Sequence, residues 1–401
     1  MVADELATSL AKRFVPPNSR VLDPFCGTGR LLAAARNADL CVGLDANPLA
    51  CLLSEAKFSL ASCEKIQRIR DGLNMARSTE GYGQVQFSLE RKVQWFSNRT
   101  LMELGRIISW INRKRLARPE LLVVAAALSA TARQVSYART SGWKLHRMSA
   151  EERAEFQPCV WSIFDKRLKY CAKQLADEIN LPKATITCGN AKALDELLRP
   201  PKHARFDVVL TSPPYGDSRT TVQYGAASSL CLAIVSRLKG LSRLAVRGGD
   251  IDGRCLGGAD ARKTEQSLKN YWAGNADSKL GRMVARFLSD YAIVCGHLAN
   301  SLKVGGKAVF VVGRRSTGGF RLLLDQFTID CFKARGFRLV NVERRRLQNK
   351  RVPRSVNRYG RSERRRLERR ARTVTMDSEI IVVLRKMKGP RSPEKKMGRI
   401  A

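Results

Sequence analysis

The stretch Phe206-Asp207-Val208-Val209-Leu210-Thr211-Ser212-Pro213-Pro214-Tyr215-Gly216 joins an apolar, β-branched run to two successive prolines. The run from Phe206 to Leu210 reads as a strand buried on both faces. Neither proline has an N–H for the ladder, and each restricts the residue before it, so the strand must leave the sheet in a stiff, projecting turn. On that turn the Pro213 carbonyl and the Ser212 hydroxyl can both accept hydrogen bonds from one planar amino group, and Tyr215 offers a ring on which a flat base can stack. The expected chemistry is work on a nucleobase amine.

Upstream, Leu6, Leu10 and Phe14 recur at helical spacing until Pro16-Pro17, and Val21-Leu22 is a short first strand. It runs into Asp23-Pro24-Phe25-Cys26-Gly27-Thr28-Gly29, after which Leu31 to Ala38 reads as a helix. Strand, glycine turn and helix together form a cradle, because Gly27 and Gly29 permit a tight turn with close backbone approach to a ligand. The third glycine of a dinucleotide fingerprint is missing, which suits a cofactor without a pyrophosphate. A second strand, Leu40 to Leu44, ends in Asp45, followed by Asn47-Pro48. Asp45 is placed either to accept two hydrogen bonds from a ribose or to cap the helix that starts near Pro48.

Ser212-Pro213-Pro214-Tyr215 with Asp23 to Gly29 resembles the amino-group DNA methyltransferases that use S-adenosylmethionine, and the serine resembles their cytosine-N4 branch. The resemblance implies an α/β fold: a Rossmann-like class I methyltransferase sheet of seven strands, mostly parallel, the last pair antiparallel, with a helical insertion. It assigns Ser212, Pro213, Pro214 and Tyr215 to catalysis, and Asp23, Phe25, Gly27, Gly29, Asp45 and Asn190 to the cofactor. Asn190 follows the strand Ala184 to Cys188, where the family usually has Asp reading the cofactor's adenine amine; its carbonyl oxygen can still accept that bond, without the charge. The implied partners are DNA and, in some such systems, a cognate restriction nuclease.

With 73 Lys and Arg against 36 Asp and Glu, the formal charge is +37. Such an excess repels itself unless a polyanion offsets it, and nucleic acid is the usual one. The chain has no apolar run of membrane length. Asp4 and Glu5 precede any apolar stretch, unlike a signal peptide, so a cytoplasmic, nucleoid-associated protein is expected. The 11 cysteines form no CxxC pair, and Cys41, Cys51, Cys188, Cys231 and Cys295 read as small buried hydrophobes of a reducing compartment. Three histidines give no convincing zinc ligand set.

Residues 1–55 are then the first half of the core domain, 56–180 a helical insertion, and 181–216 the core with the catalytic turn. Residues 217–300 form an irregular basic lobe suited to target recognition. Residues 301–386 hold the last core strands with a basic insertion at 344–372, and 387–401 a disordered basic tail. In the insertion, Trp95, Trp110 and Trp161 read as core, while Arg133, Ser136, Tyr137 and Arg139 could form a DNA-facing edge. Arg219, Arg344, Arg345, Arg346, Arg351, Arg364 and Arg365 are the expected phosphate contacts. Three other readings stay open: an adenine-N6 DNA methyltransferase, an RNA guanine-N2 methyltransferase, and a non-catalytic DNA-binding relative, to which Asn190 gives weight.

Overall fold

The computed structural model describes residues 2–78, 95–139, 145–177, 180–198, 205–216, 224–257, 269–314, 316–317, 320–346, 355–356, 373–374 and 378–388. One sheet is built from β1 (Arg20–Asp23), β2 (Leu40–Asp45), β3 (Lys183–Cys188), β4 (Phe206–Thr211), β5 (Leu302–Gly313), β6 (Phe337–Arg346) and β7 (Ser378–Lys386). Their order is β3-β2-β1-β4-β5-β7-β6. The strands from β3 to β5 pair in parallel, and β7 runs antiparallel to both of its neighbours. This is the expected Rossmann-like class I methyltransferase sheet. Its order reverses between β1 and β4, and in open α/β sheets ligands bind at the carboxyl ends of the strands beside such a reversal.

Alternating residues feed two core layers, because a strand's side chains point to opposite faces. Leu22, Val209, Phe310, Val312 and Val382 pack on one face with Leu288 and Tyr291 of α12 (Lys279–Ser301) and Phe332 of α13 (Leu324–Lys333). Val21, Val208, Leu210, Val311 and Ile381 pack on the other with Leu6 and Leu10 of α1 (Asp4–Phe14) and Leu32 of α2 (Arg30–Ala34). Helix α1 carries Asp4 and Glu5 in its first turn and Lys12 and Arg13 in its last, matching the helix dipole at both ends.

Three boundaries differ from the sequence reading. Helix α2 stops at Ala34 rather than Ala38, because Asn37 O accepts from Asn18 N and Asp39 N donates to Ser19 O, which draws the chain back toward β2. Arg344 to Arg346, expected to open a basic insertion, instead complete β6, opposite Ile380 to Ser378 of β7. Cys188 is exposed, since β3 is the sheet's edge, whereas Cys41, Cys51, Cys231 and Cys295 are buried.

Between β2 and β3 lie α3 (Pro48–Lys57), α4 (Cys63–Ser78), α5 (Asn98–Lys114), α6 (Arg118–Val135), α7 (Ala150–Glu155) and α8 (Val160–Asp177). Their shared core includes Ile66, Leu104, Ile107, Ile108, Val124, Leu128 and Leu168, and it takes in Ile234 of α10 (Tyr224–Val235). Two short helices, α9 (Leu194–Leu198) and α11 (Gly248–Arg254), follow β3 and α10. Trp110 and Trp161 are buried in the helical core, and Trp95 packs against it. The proposed DNA-facing edge is largely occupied by internal contacts. Ser136 is fully buried, Arg133 donates to Arg139 O at 3.0 Å, and Arg139 pairs with Glu152 at 2.7 Å. No helix among the described residues is long and apolar enough to cross a membrane.

Candidate active site

The chemistry-bearing residues from both ends of the chain meet at the carboxyl ends of β1, β2 and β4, beside the start of the antiparallel β7. After β1, the turn is held by Cys26 N, which donates to Leu44 O at 2.9 Å, and by Gly27 N, which donates to Asp45 Oδ2 at 2.9 Å. Gly27 and Gly29 have φ of +53° and +73°, the left-handed region that L side chains rarely adopt. Space beside Gly27 is open to 4 Å around a would-be Cβ, whereas at Gly29 a Cβ would lie 2.3 Å from Ser54 Oγ. The turn is therefore open at Gly27 and packed against α3 at Gly29. Phe25 is half-buried against the core beneath.

Asp45 is the hub of this rim. Its Oδ2 takes the Gly27 N–H, its Oδ1 takes the Asn47 N–H at 2.8 Å, and its carbonyl takes the Gly189 N–H at 2.9 Å. Burial raises its carboxyl above the usual range, and the two N–H bonds oppose that. Of the two roles open in the sequence, the cap belongs to Asn47, whose Oδ1 accepts from Leu49 N at 3.1 Å. A carboxylate oxygen can accept more than one hydrogen bond, so both oxygens of Asp45 retain acceptor capacity. Asn190 starts a short turn, with Oδ1 accepting from Lys192 N at 3.0 Å, so that oxygen shares its capacity with the backbone. A carboxylate with spare acceptor capacity beside an open glycine fits the ribose end of S-adenosylmethionine.

Asp23 sits lower and is 1% exposed. Its Oδ1 accepts from Thr211 Oγ1 at 2.6 Å and from Phe25 N at 3.1 Å. Burial pushes its carboxyl up to about 7, with Asp45's charge adding and the two hydrogen bonds opposing. The residue ties the end of β1 to the end of β4 from beneath. Thr211, itself fully buried, passes directly into Ser212.

On the turn after β4, Pro213 is buried and Ser212, Pro214 and Tyr215 are half-buried. Ser212 Oγ lies 3.2 Å from the Tyr215 hydroxyl, which lies 3.3 Å from Glu379 Oε1 on β7. Glu379 Oε2 is 3.8 Å from an Arg345 guanidinium nitrogen, and Arg344 Nε donates to Ser378 Oγ at 3.0 Å. Asn47 Nδ2 donates to Ser228 Oγ of α10 at 2.8 Å, joining the Asp45 rim to the segment beyond the Ser212–Tyr215 turn.

The structure thus brings together Asp23, Phe25, Gly27, Gly29, Asp45, Asn190 and Ser212 to Tyr215, with Arg344 and Arg345 alongside and Arg346 at the same strand end. Arg219, Arg351, Arg364 and Arg365 lie outside the described residues. Thr211, Asn47, Ser228 and Glu379 were missed. Asn47 left a trace as the residue before Pro48, and Glu379 as an acidic residue ahead of the apolar run Ile380 to Leu384.

No protein-family model matches the chain. Type II methyltransferase M.MvaI of Kocuria varians is 27% identical over 417 aligned residues, covering 94% of this chain and 88% of that protein. Among solved structures, the rRNA methyltransferase aviRa of Streptomyces viridochromogenes aligns at 12% identity over 96% of this chain and 85% of its own, with a TM-score of 0.33. An rRNA methylase of Streptococcus thermophilus aligns at 8% identity over 97% and 99%, with a TM-score of 0.34. The sheet order is that of the class I methyltransferase fold, and a protein named a methyltransferase is similar along nearly the whole chain.

Proposed function

We propose that the protein transfers a methyl group from S-adenosylmethionine to the exocyclic amine of a base flipped out of DNA, and that this amine is N4 of cytosine. The observation that carries the reading is the placement of the Ser212–Pro213 turn beside the Asp45 rim, tied there by the Asp23–Thr211 bond. The charge of +37 and a relative named a Type II methyltransferase support a DNA substrate. Arg344 and Arg346 at the end of β6 supply cations at the same end of the sheet.

When bound, the cofactor supplies a sulfonium methyl. The chain's part is to make the amine nucleophilic, since its lone pair is delocalised into the ring. Hydrogen bonds from the two N–H groups to Ser212 Oγ and the Pro213 carbonyl draw nitrogen toward tetrahedral geometry and localise that pair. Positioning and charge placement then supply most of the rate. After transfer the amine is cationic and gives its proton readily to Ser212 or water, so no histidine is required. Flipping costs a few kcal/mol in unstacking, and contact with the Tyr215 ring offsets part of it.

The test is mass spectrometry of nucleosides from DNA and RNA incubated with the protein and labelled S-adenosylmethionine, with Ser212→Ala as control. The expected product is N4-methylcytosine in DNA, lost in the variant. Label in N6-methyladenine or in RNA guanine would overturn the choice of base or of nucleic acid.

A further inference from the structure

Glu379 is the second residue of β7, directly before the apolar run Ile380 to Leu384, and it is 4% exposed. Burying a carboxylate is costly unless it is partnered. Its partners are Arg345 and the Tyr215 hydroxyl, and through that hydroxyl it reaches Ser212.

We propose that Glu379 is a positioning residue that fixes the hydrogen-bond direction of the Ser212–Tyr215 pair, an inference that rests on the methyl-transfer reading above. A carboxylate only accepts, so the phenol must donate its single proton to Glu379. The phenol oxygen is then left to accept from Ser212. With its proton committed to Tyr215, Ser212 Oγ turns lone pairs toward the substrate and acts as an acceptor for the amine. Without Glu379 the serine proton is free to point at the amine, and donor meets donor. The spacings of 3.2 and 3.3 Å are long for O–H···O bonds, and such contacts shorten when substrate completes the site. Arg345, with a guanidinium nitrogen 3.8 Å from Glu379 Oε2, is the carboxylate's ion-pair partner.

The experiment compares Glu379→Gln, Glu379→Asp, Tyr215→Phe and the double variant Glu379→Gln/Tyr215→Phe in steady-state methylation of unmethylated DNA. Glutamine can present its amide N–H and reverse the chain. Glu379→Gln should lower kcat on the order of ten- to a hundredfold, the scale of one hydrogen bond to a charged group, with KM for DNA and cofactor unchanged. Glu379→Asp should recover part of that loss. The double variant should be no slower than Tyr215→Phe alone. An unchanged kcat in Glu379→Gln, or losses that multiply in the double variant, would overturn the inference. A second readout does not depend on activity: the Tyr215 Cζ resonance of isotopically labelled protein, assigned by its absence in Tyr215→Phe, should move in Glu379→Gln. An unmoved resonance overturns the inference. A wild type that methylates nothing overturns the methyl-transfer reading, while the resonance still decides whether Glu379 orients the pair.

Discussion

Asp23 bridges two strand ends while buried, and its carboxyl is pushed up to about 7 from an ordinary 3.8. The folded state therefore holds this proton more tightly than the unfolded chain. The resulting stability is complete below about pH 4 and is lost as pH rises through about 7, by roughly 4 kcal/mol for a shift of this size. Asp23→Asn removes that dependence: urea titrations between pH 5 and 8 should show a falling midpoint for the wild type and a flatter one for the variant. Asp45 is the proposed contact to the cofactor. Asp45→Ala should weaken S-adenosylmethionine binding in calorimetry by about tenfold or more, the scale of lost charged hydrogen bonds, and an unchanged affinity would remove Asp45 from the cofactor site. The sequence made Asp23, Asp45 and Ser212 legible because each carries its chemistry beside a turn-forming residue. It hid Glu379, whose partner Tyr215 is 164 positions away and reaches it only through the antiparallel placement of β7.

Among the elements, α5 shows how a charged surface and an apolar seam coexist. Ser97 Oγ accepts from Thr100 N at 3.1 Å and caps the helix, and Leu104, Ile107, Ile108 and Ile111 are buried along one face. Ile108→Ala should cost about 2–5 kcal/mol in denaturant unfolding, and Ser97→Ala about 1 kcal/mol. The strands from β1 to β5 were readable because each apolar run meets a glycine, a proline or an acidic residue where the sheet ends. The length of β6 was not. A run of arginines reads as a solvated face, yet Arg344 to Arg346 form part of the ladder because β7 offers backbone partners, while the Arg344 and Arg345 side chains meet Ser378 and Glu379. The end of α2 was equally hidden, since Leu31 to Ala38 has good helix formers and the tethers from Asn18 and Ser19 that stop it are tertiary.

For the whole molecule, the proposed DNA substrate sets a test of charge. A formal charge of +37 makes affinity steeply dependent on salt through counterion release. Replacing Arg344 and Arg346 together with Gln should lower the slope of log affinity against log salt by about 2, one unit for each phosphate that no longer meets a cation. Arg345 is left in place in that experiment, because its charge faces Glu379. An unchanged slope would move the phosphate track elsewhere on the surface.

Strand β7 comes last among the strands of the sheet yet lies between β5 and β6. On a ribosome adding roughly 5–20 residues per second, the β5 edge therefore stands open while β6 is already synthesised and waits for its neighbour. Glu379 arrives with that same strand, so closing the sheet and supplying the Tyr215 partner are one event. A nascent chain holding every motif from Asp23 to Tyr215 still has an unclosed sheet. Competence arrives as a late step of biosynthesis, and a stall before residue 378 leaves an aggregation-prone edge in place of a slow enzyme.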